Sequence, residues 1–325
     1  MARVLRTRGN RFSNVWKLVR LAAVAACVVL TGTRDSAGEG LSYIYGIDDN
    51  NYVWEVDPAG KTYTRELNTG LTGLSNAFAY DTARDDMYFL SSAKELYYWD
   101  HRSTFAKLST REQLGLGTGI TQPANAAHYA DAYWFFNEGA NTLNKASLNY
   151  LDNVPTSVAS LTTYAISGIP GTLSTNNTFG DIAINGNTGV LYAATVSGLF
   201  YSIDLGALSA GAGTASVIKS NGTGNPSLQI AFSSDYATLY ATNYVGGQWY
   251  TMDVLTGNLT AIDGFQTKLN GSNGFRDLGG SSIAPVPEPS TWALMAVATG
   301  LIAVRRWRGA GRRQVVCAGR EIDRL

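Results

Sequence analysis

Three side chains able to do chemistry recur at one spacing: Asp181, Gln229 and Asp277 stand 48 residues apart, each just ahead of apolar or small residues. If the units that carry them surround an axis, two carboxyl groups and an amide converge on that axis. Asp181 and Asp277 are then candidates for an acid and base pair acting on a polysaccharide, the chemistry that glycosidases perform with two carboxyl groups. With Gln229 they are also candidates for binding a ligand in a central channel, or for capping turns. Little else in the chain offers catalysis. His101 and His128 are the two histidines, and no HExxH, GxSxG or phosphate-loop pattern occurs. No zinc site and no cofactor is expected. Asp48-Asp49-Asn50-Asn51 lacks the alternating acids and distal Glu of a calcium loop and reads as a hairpin turn. Asp57, Asp100, Asp204 and Asp253 each end a strand-like run, where a carboxylate bonds the backbone of the next turn. A group needed once for catalysis would not recur in four places.

The elements that must position these residues are short strands. Phe179 to Asp204 contains an apolar run at Ile182 to Ile184, a polar turn, a run at Val190 to Thr195, a Ser197-Gly198 turn and a third run ending at Asp204. The seven-residue spacing from Ile184 to Leu191 recurs from Tyr80 to Met87 and from Phe232 to Leu239. The twelve-residue spacing from Tyr192 to Asp204 recurs from Tyr88 to Asp100 and from Tyr45 to Asp57, and becomes thirteen from Tyr240 to Asp253. Such a repeat predicts blades of a propeller. A β-sandwich is the competing all-β fold, but it gives no reason for both spacings to return.

The first unit, Leu41 to Leu67, has followers but no first strand; Phe275 to Ile283 is a first strand without followers. Pairing of Arg276 to Ser281 with Tyr43 to Ile47 would close a ring and remove two free sheet edges. The expected fold is therefore an all-β, five-bladed β-propeller over 41–284, its first blade made from the N- and C-terminal strands. In the most divergent unit, Ala124 to Ala165, Ser147 replaces the strand-ending Asp, and Asn153 to Thr178 reads as loop plus an outer strand.

The pattern D-I-A-I, G-x-L-Y, Y-x-I-D at Asp181 to Asp204 resembles bacterial propellers with YVTN-like or quinoprotein-like repeats. That resemblance implies architecture only, since such repeats serve both enzymes and binding scaffolds.

Charge separates the body from its ends. Between Leu41 and Val286 there are 20 Asp and Glu against 11 Lys and Arg, a net charge of −9 in a chain that is neutral overall. An acidic body excludes nucleic acid as its partner, because phosphate contact needs a positive surface. Cys27 and Cys317 lie outside it, so no disulfide can staple it. At the N-terminus Arg3, Arg6, Arg8, Arg11, Lys17 and Arg20 precede the apolar run Leu21 to Leu30, which reads as a signal peptide over 1–38.

At the C-terminus Pro287-Glu288-Pro289 precedes the uncharged run Ser290 to Val304 and then Arg305-Arg306-Trp307-Arg308. This order resembles the PEP-CTERM sorting signal, here over 285–308, followed by a basic tail over 309–325. The resemblance implies a Gram-negative bacterial protein exported through the Sec machinery and handled by an exosortase at the inner membrane, in cells that make an exopolysaccharide matrix. Pro287, Glu288 and Pro289 would be the recognised motif. As a helix the run from Ser290 to Val304 is about 22 Å long, enough for a membrane-held intermediate before delivery to the cell surface or the extracellular space. The arginines behind it would stay cytoplasmic.

The expected function is that of an exported binding or structural protein of the cell envelope or extracellular matrix, holding glycan or protein through its loops and tyrosine-rich rims. The alternative is a secreted polysaccharide hydrolase or lyase using the channel carboxylates.

Overall fold

The seven-residue spacing is a hairpin register: Ile184 faces Leu191, Tyr80 faces Met87 and Phe232 faces Leu239 across antiparallel strand pairs. Tight polar turns join each pair, and one more hairpin step continues the chain outward into a meander. The computed structural model describes residues 42–71, 74–101, 105–109, 113–114, 123–137, 142–169, 180–196, 198–219, 227–269 and 273–283. The chain divides after Gly40. The expected signal peptide, the hydrophobic run and the basic tail lie outside the described residues.

Strands β1 (Ser42–Ile47), β2 (Tyr52–Asp57) and β3 (Thr62–Asn68) come first. A meander follows in β4 (Leu74–Asp81), β5 (Asp86–Ser91), β6 (Leu96–Trp99) and β7 (Phe105–Ser109). The next comprises β8 (Pro123–Tyr129), β9 (Ala132–Asn137), β10 (Thr142–Leu151) and β11 (Val154–Ser167). After it come β12 (Asp181–Asn185), β13 (Val190–Ala194), β14 (Phe200–Asp204) and β15 (Ala212–Lys219), with one 3-10 turn at Leu205–Ala207. The last run is β16 (Leu228–Phe232), β17 (Leu239–Asn243), β18 (Gln248–Met252) and β19 (Leu259–Gln266), ending in the lone β20 (Asp277–Ile283). The fold is all-β.

Among the described residues the strands form three four-stranded sheets and one of eight. The eight-stranded sheet splices two meanders where β11 runs parallel to β15, Ala165 facing Ala212, Ile166 facing Gly213 and Ser167 facing Thr214. The strand at Val154–Ser167 is fourteen residues long, much more of the expected loop region than the sequence suggests. Within the unit that starts at Leu41, the first strands neighbour one another in cyclic order, β20 to β4, β8, β12, β16 and back to β20.

Ring closure follows the expected pairing. β1 lies antiparallel to β20, with Ser42 facing Ile283, Ile44 facing Ser281 and Ile47 facing Asp277, and a bulge after Tyr45. The approach is close at Gly46, where a Cβ would sit 2.6 Å from Phe275 Cδ1 and 2.8 Å from Leu278 Cδ2. A larger residue would have to displace those two side chains of the closing segment.

Apolar side chains fill the seams between successive meanders. Trp134, Ile182, Leu191 and Tyr201 share one cluster, Tyr88, Leu96, Tyr133 and Phe135 another, and Ile44, Trp249, Phe275 and Leu278 a third at the closure. With no disulfide available to the body, this packing holds the ring together.

Candidate functional site

The twisted meanders bring the starts of the first strands together, and there the three recurring side chains lie. Asp181 and Asp277 are fully buried and Gln229 is 2% exposed. Asp181 Oδ2 accepts from the backbone N–H of Ile230 in β16 at 2.9 Å and of Leu278 in β20 at 3.2 Å, and its Oδ1 accepts from Ile182 at 2.7 Å. Asp277 Oδ2 accepts from the N–H of Phe78 in β4 at 2.6 Å. The two carboxyl groups are neighbours in this hub, since Asp181 reaches the amide of Leu278, the residue that follows Asp277. Four first strands, β12, β16, β20 and β4, are thus joined through two acids.

Burial raises both acids. Asp181 stands well above the carboxylate range, through burial first and then the neighbouring charge of Asp277. Asp277 is pushed up to about 7 by burial, against the pull of its hydrogen bonds to Asp181 and Phe78 and of the Arg276 charge. Asp277 Oδ1 and Gln229 Oε1 have no hydrogen-bond partner, nor does Thr242 Oγ1, which belongs to the residue facing Gln229. The pair could exchange a proton, but nothing outside can reach it.

Further along the axis a cavity of about 30 Å3 is lined by Thr82, His128, Tyr236 and Ser281, with Ile182 and Leu278. That is room for about two waters.

A second polar cluster sits in the seam between the β4–β7 and β8–β11 meanders. Arg84 bridges Asp81 at 2.8 Å and Asp131 at 2.6 Å, and its guanidinium lies 3.9 Å from the centre of the Tyr150 ring. The Tyr150 hydroxyl is 3.1 Å from both the Tyr88 hydroxyl and His128 Nε2, and the His128 ring stacks on Tyr88. Burial lowers the His128 pKa, which leaves the ring neutral at pH 7. Asp86 is pushed up to about 7 by burial and by the charges of Asp81 and Asp100, and its Oδ2 has no hydrogen-bond partner. No spacing in the chain announces this cluster, because its members come from a hairpin turn and from strands far apart in sequence. His101 lies elsewhere and faces Asp85 at 2.8 Å. Among the described residues no group of three or more His, Cys, Asp or Glu side chains is placed to hold a metal ion.

Three of the four turn carboxylates, Asp57, Asp204 and Asp253, take the positions their recurrence suggests. Asp57 accepts from Gly60 N–H, Asp204 from Gly206 N–H and Asp253 from Leu255 N–H, each at 2.8 Å. In the expected hairpin turn Asp48 accepts from the N–H groups of Asn50 and Tyr52 and from the Trp54 indole.

Pro287, Glu288 and Pro289 lie outside the described residues. Among the described residues no helix is long and apolar enough to cross a membrane. Residues 285–313 match the PEP-CTERM protein-sorting motif. The motif marks an exported protein processed by an exosortase. No curated protein matches the chain. Among solved structures, virginiamycin B lyase from Staphylococcus aureus is similar with a TM-score of 0.37 at 12% identity, over 70% of this chain and 71% of that one. A chain of the nidogen/laminin complex is similar with a TM-score of 0.43 at 11% identity, over 75% of this chain and 81% of that one.

Proposed function

We propose that this chain is a non-enzymatic binding or structural protein of the cell envelope or extracellular matrix, built as a five-bladed propeller on a cleavable sorting tail. The observation that carries the reading is the sorting motif at 285–313, a few residues beyond a strand that closes a ring. The count of five is supported by the cyclic order of five first strands, and by the two meanders of the long sheet being spliced through three residue pairs only. Export through the Sec machinery under the signal at 1–38, with a transient stay in the inner membrane by Ser290 to Val304, follows from the order of the charged and apolar segments.

On this reading Asp181, Gln229 and Asp277 organise the hub and do not touch a ligand. Their burial and their bonds to strand amides support that role over an acid and base pair. Glycan or protein is held instead by loops and by the tyrosines along the rims.

The test is intact-mass measurement of the mature protein from a host with an active exosortase. The wild-type chain is expected to lack Trp292 to Val304. The triple variant Pro287→Ala, Glu288→Ala, Pro289→Ala is expected to retain it. A mature wild-type chain that keeps this segment would sink the sorting reading.

A further inference from the structure

We infer that Asp181 and Asp277 hold a single shared proton and that this proton locks the closing strand β20 into the ring. Two fully buried carboxyl groups this close, one of them on the amide that follows the other and the other with an oxygen left unpartnered, can bond each other only if one supplies a hydrogen. Backbone donors are already allotted: the N–H groups of Ile182, Ile230 and Leu278 point at Asp181, that of Phe78 points at Asp277, and that of Leu278 also favours the ionised form of Asp277. Asp277 Oδ1 is left with no N–H or hydroxyl partner, and a proton between the two acids completes the set. The proton belongs to the pair, so neither residue is assigned as its sole owner.

The surrounding charges do not replace it. Arg276 precedes Asp277 and favours its ionised form. Tyr133 feels the Asp277 charge, but its hydroxyl donates to the carbonyl of Ala77 at 2.6 Å. Gln229, on the strand between the two acids, is neutral. Both acids titrate above the ordinary carboxylate range, through burial first, in keeping with a retained proton.

The consequence falls on one strand. Asp181 grips β20 at Leu278 N–H, and Asp277 begins β20 and grips β4. Loss of the proton would leave two charges facing each other without water, and the strand they push on is the one that closes the ring and leads to the sorting motif. For a raised carboxyl pKa the stabilising contribution is complete below about pH 4, the unfolded value, and is lost as pH rises through the folded value. For each proton the folded pair retains, the folding equilibrium falls about tenfold per pH unit across that window. The ring is therefore tightest in acid and loosens toward alkali.

Two measurements test this on the full mature protein. In the first, infrared spectra of the wild type at about pH 8, above the ordinary carboxylate range and above Asp86, should still show the carbonyl stretch of a protonated carboxylic acid. That band should vanish on denaturation at the same pH. In the second, unfolding midpoints are compared from acid to alkali for the wild type, Asp181→Asn and Asp277→Asn, with calcium chloride or EDTA added in parallel. Each folded variant should show a shallower loss of stability with rising pH than the wild type, and neither additive should shift the midpoint. Absence of the band in the folded wild type overturns the inference even if both variants fail to fold. Equal pH slopes overturn it, as does a chelator-sensitive midpoint, which would put a cation where we place the proton.

Discussion

Ending the chain at Gly274 instead of Val286 removes Phe275, Arg276 and all of β20, and leaves every other described strand in place. Phe275 and Leu278 are at most 1% exposed and pack with Ile44, Trp249 and Phe265 in the closing seam. Burial of each such side chain contributes about 1.5–3 kcal/mol, so their apolar contribution together is about 3–6 kcal/mol. The shorter chain also loses the ladder to β1, the Asp277 bond to Phe78 and the bond from the Ser281 hydroxyl to the carbonyl of Phe232 at 2.7 Å. Against a net domain stability of about 5–15 kcal/mol, the change is enough to unfold the body or to leave it marginal. Urea unfolding is followed by tryptophan fluorescence, to which Trp249, fully buried in the seam, contributes alongside Trp54, Trp99 and Trp134. The chain ending at Val286 should unfold at the higher urea concentration, and Leu278→Ala in the full chain should fall between, at a cost of about 2–5 kcal/mol. If the chains ending at Gly274 and Val286 unfold at the same urea concentration, closure by β20 contributes nothing and the five-blade count fails with it.

Two further changes probe other joints. Tyr133→Phe removes the hydroxyl that donates to Ala77 across a seam and leaves a buried carbonyl unpaired; we expect a loss of about 1–3 kcal/mol, read as a lower urea midpoint with an unchanged slope. Asp86, held up to about 7 by burial and by Asp81 and Asp100, binds a proton in the folded state that the unfolded chain releases near pH 4. Its contribution is therefore complete in acid and lost as pH rises to about 7, and Asp86→Asn should narrow the difference in melting temperature between about pH 5 and pH 8; an unchanged difference would show that Asp86 titrates normally.

What the sequence reveals here is what repeats. The Ile184 to Leu191 spacing is legible because a tight turn fixes the register of its hairpin, and the same number returns wherever the geometry does. The Tyr43 to Ile47 pairing with β20 is legible because one strand is missing at the start and one is left over at the end. Strand β11 is legible only as an outer strand within Asn153 to Thr178, and its length stays hidden because solvent covers much of its surface, so threonine and serine replace the usual alternation. Asp181, Gln229 and Asp277 stand out by position, but their burial and the nearness of the two acids depend on how strands from three different repeats converge. The cluster of Arg84, His128 and Tyr150 leaves no mark in the sequence, because a seam between two meanders has no fixed spacing.

The splice between β11 and β15 makes the ring mechanically uneven. The neighbouring edges of those two meanders share a ladder of three residue pairs, whereas among the described residues the other seams hold at most an isolated bridge, as between Val245 and Asn273. Side-chain packing yields gradually as two surfaces slide, but a backbone ladder resists until its bonds break together. A pull or a thermal fluctuation that spreads the ring will therefore open it at a seam other than this one, and the eight-stranded sheet will move as a single plate. The body behaves less like a wheel of equal spokes than like a stiff sector with softer leaves on either side, and the strand that closes the ring lies among the softer leaves.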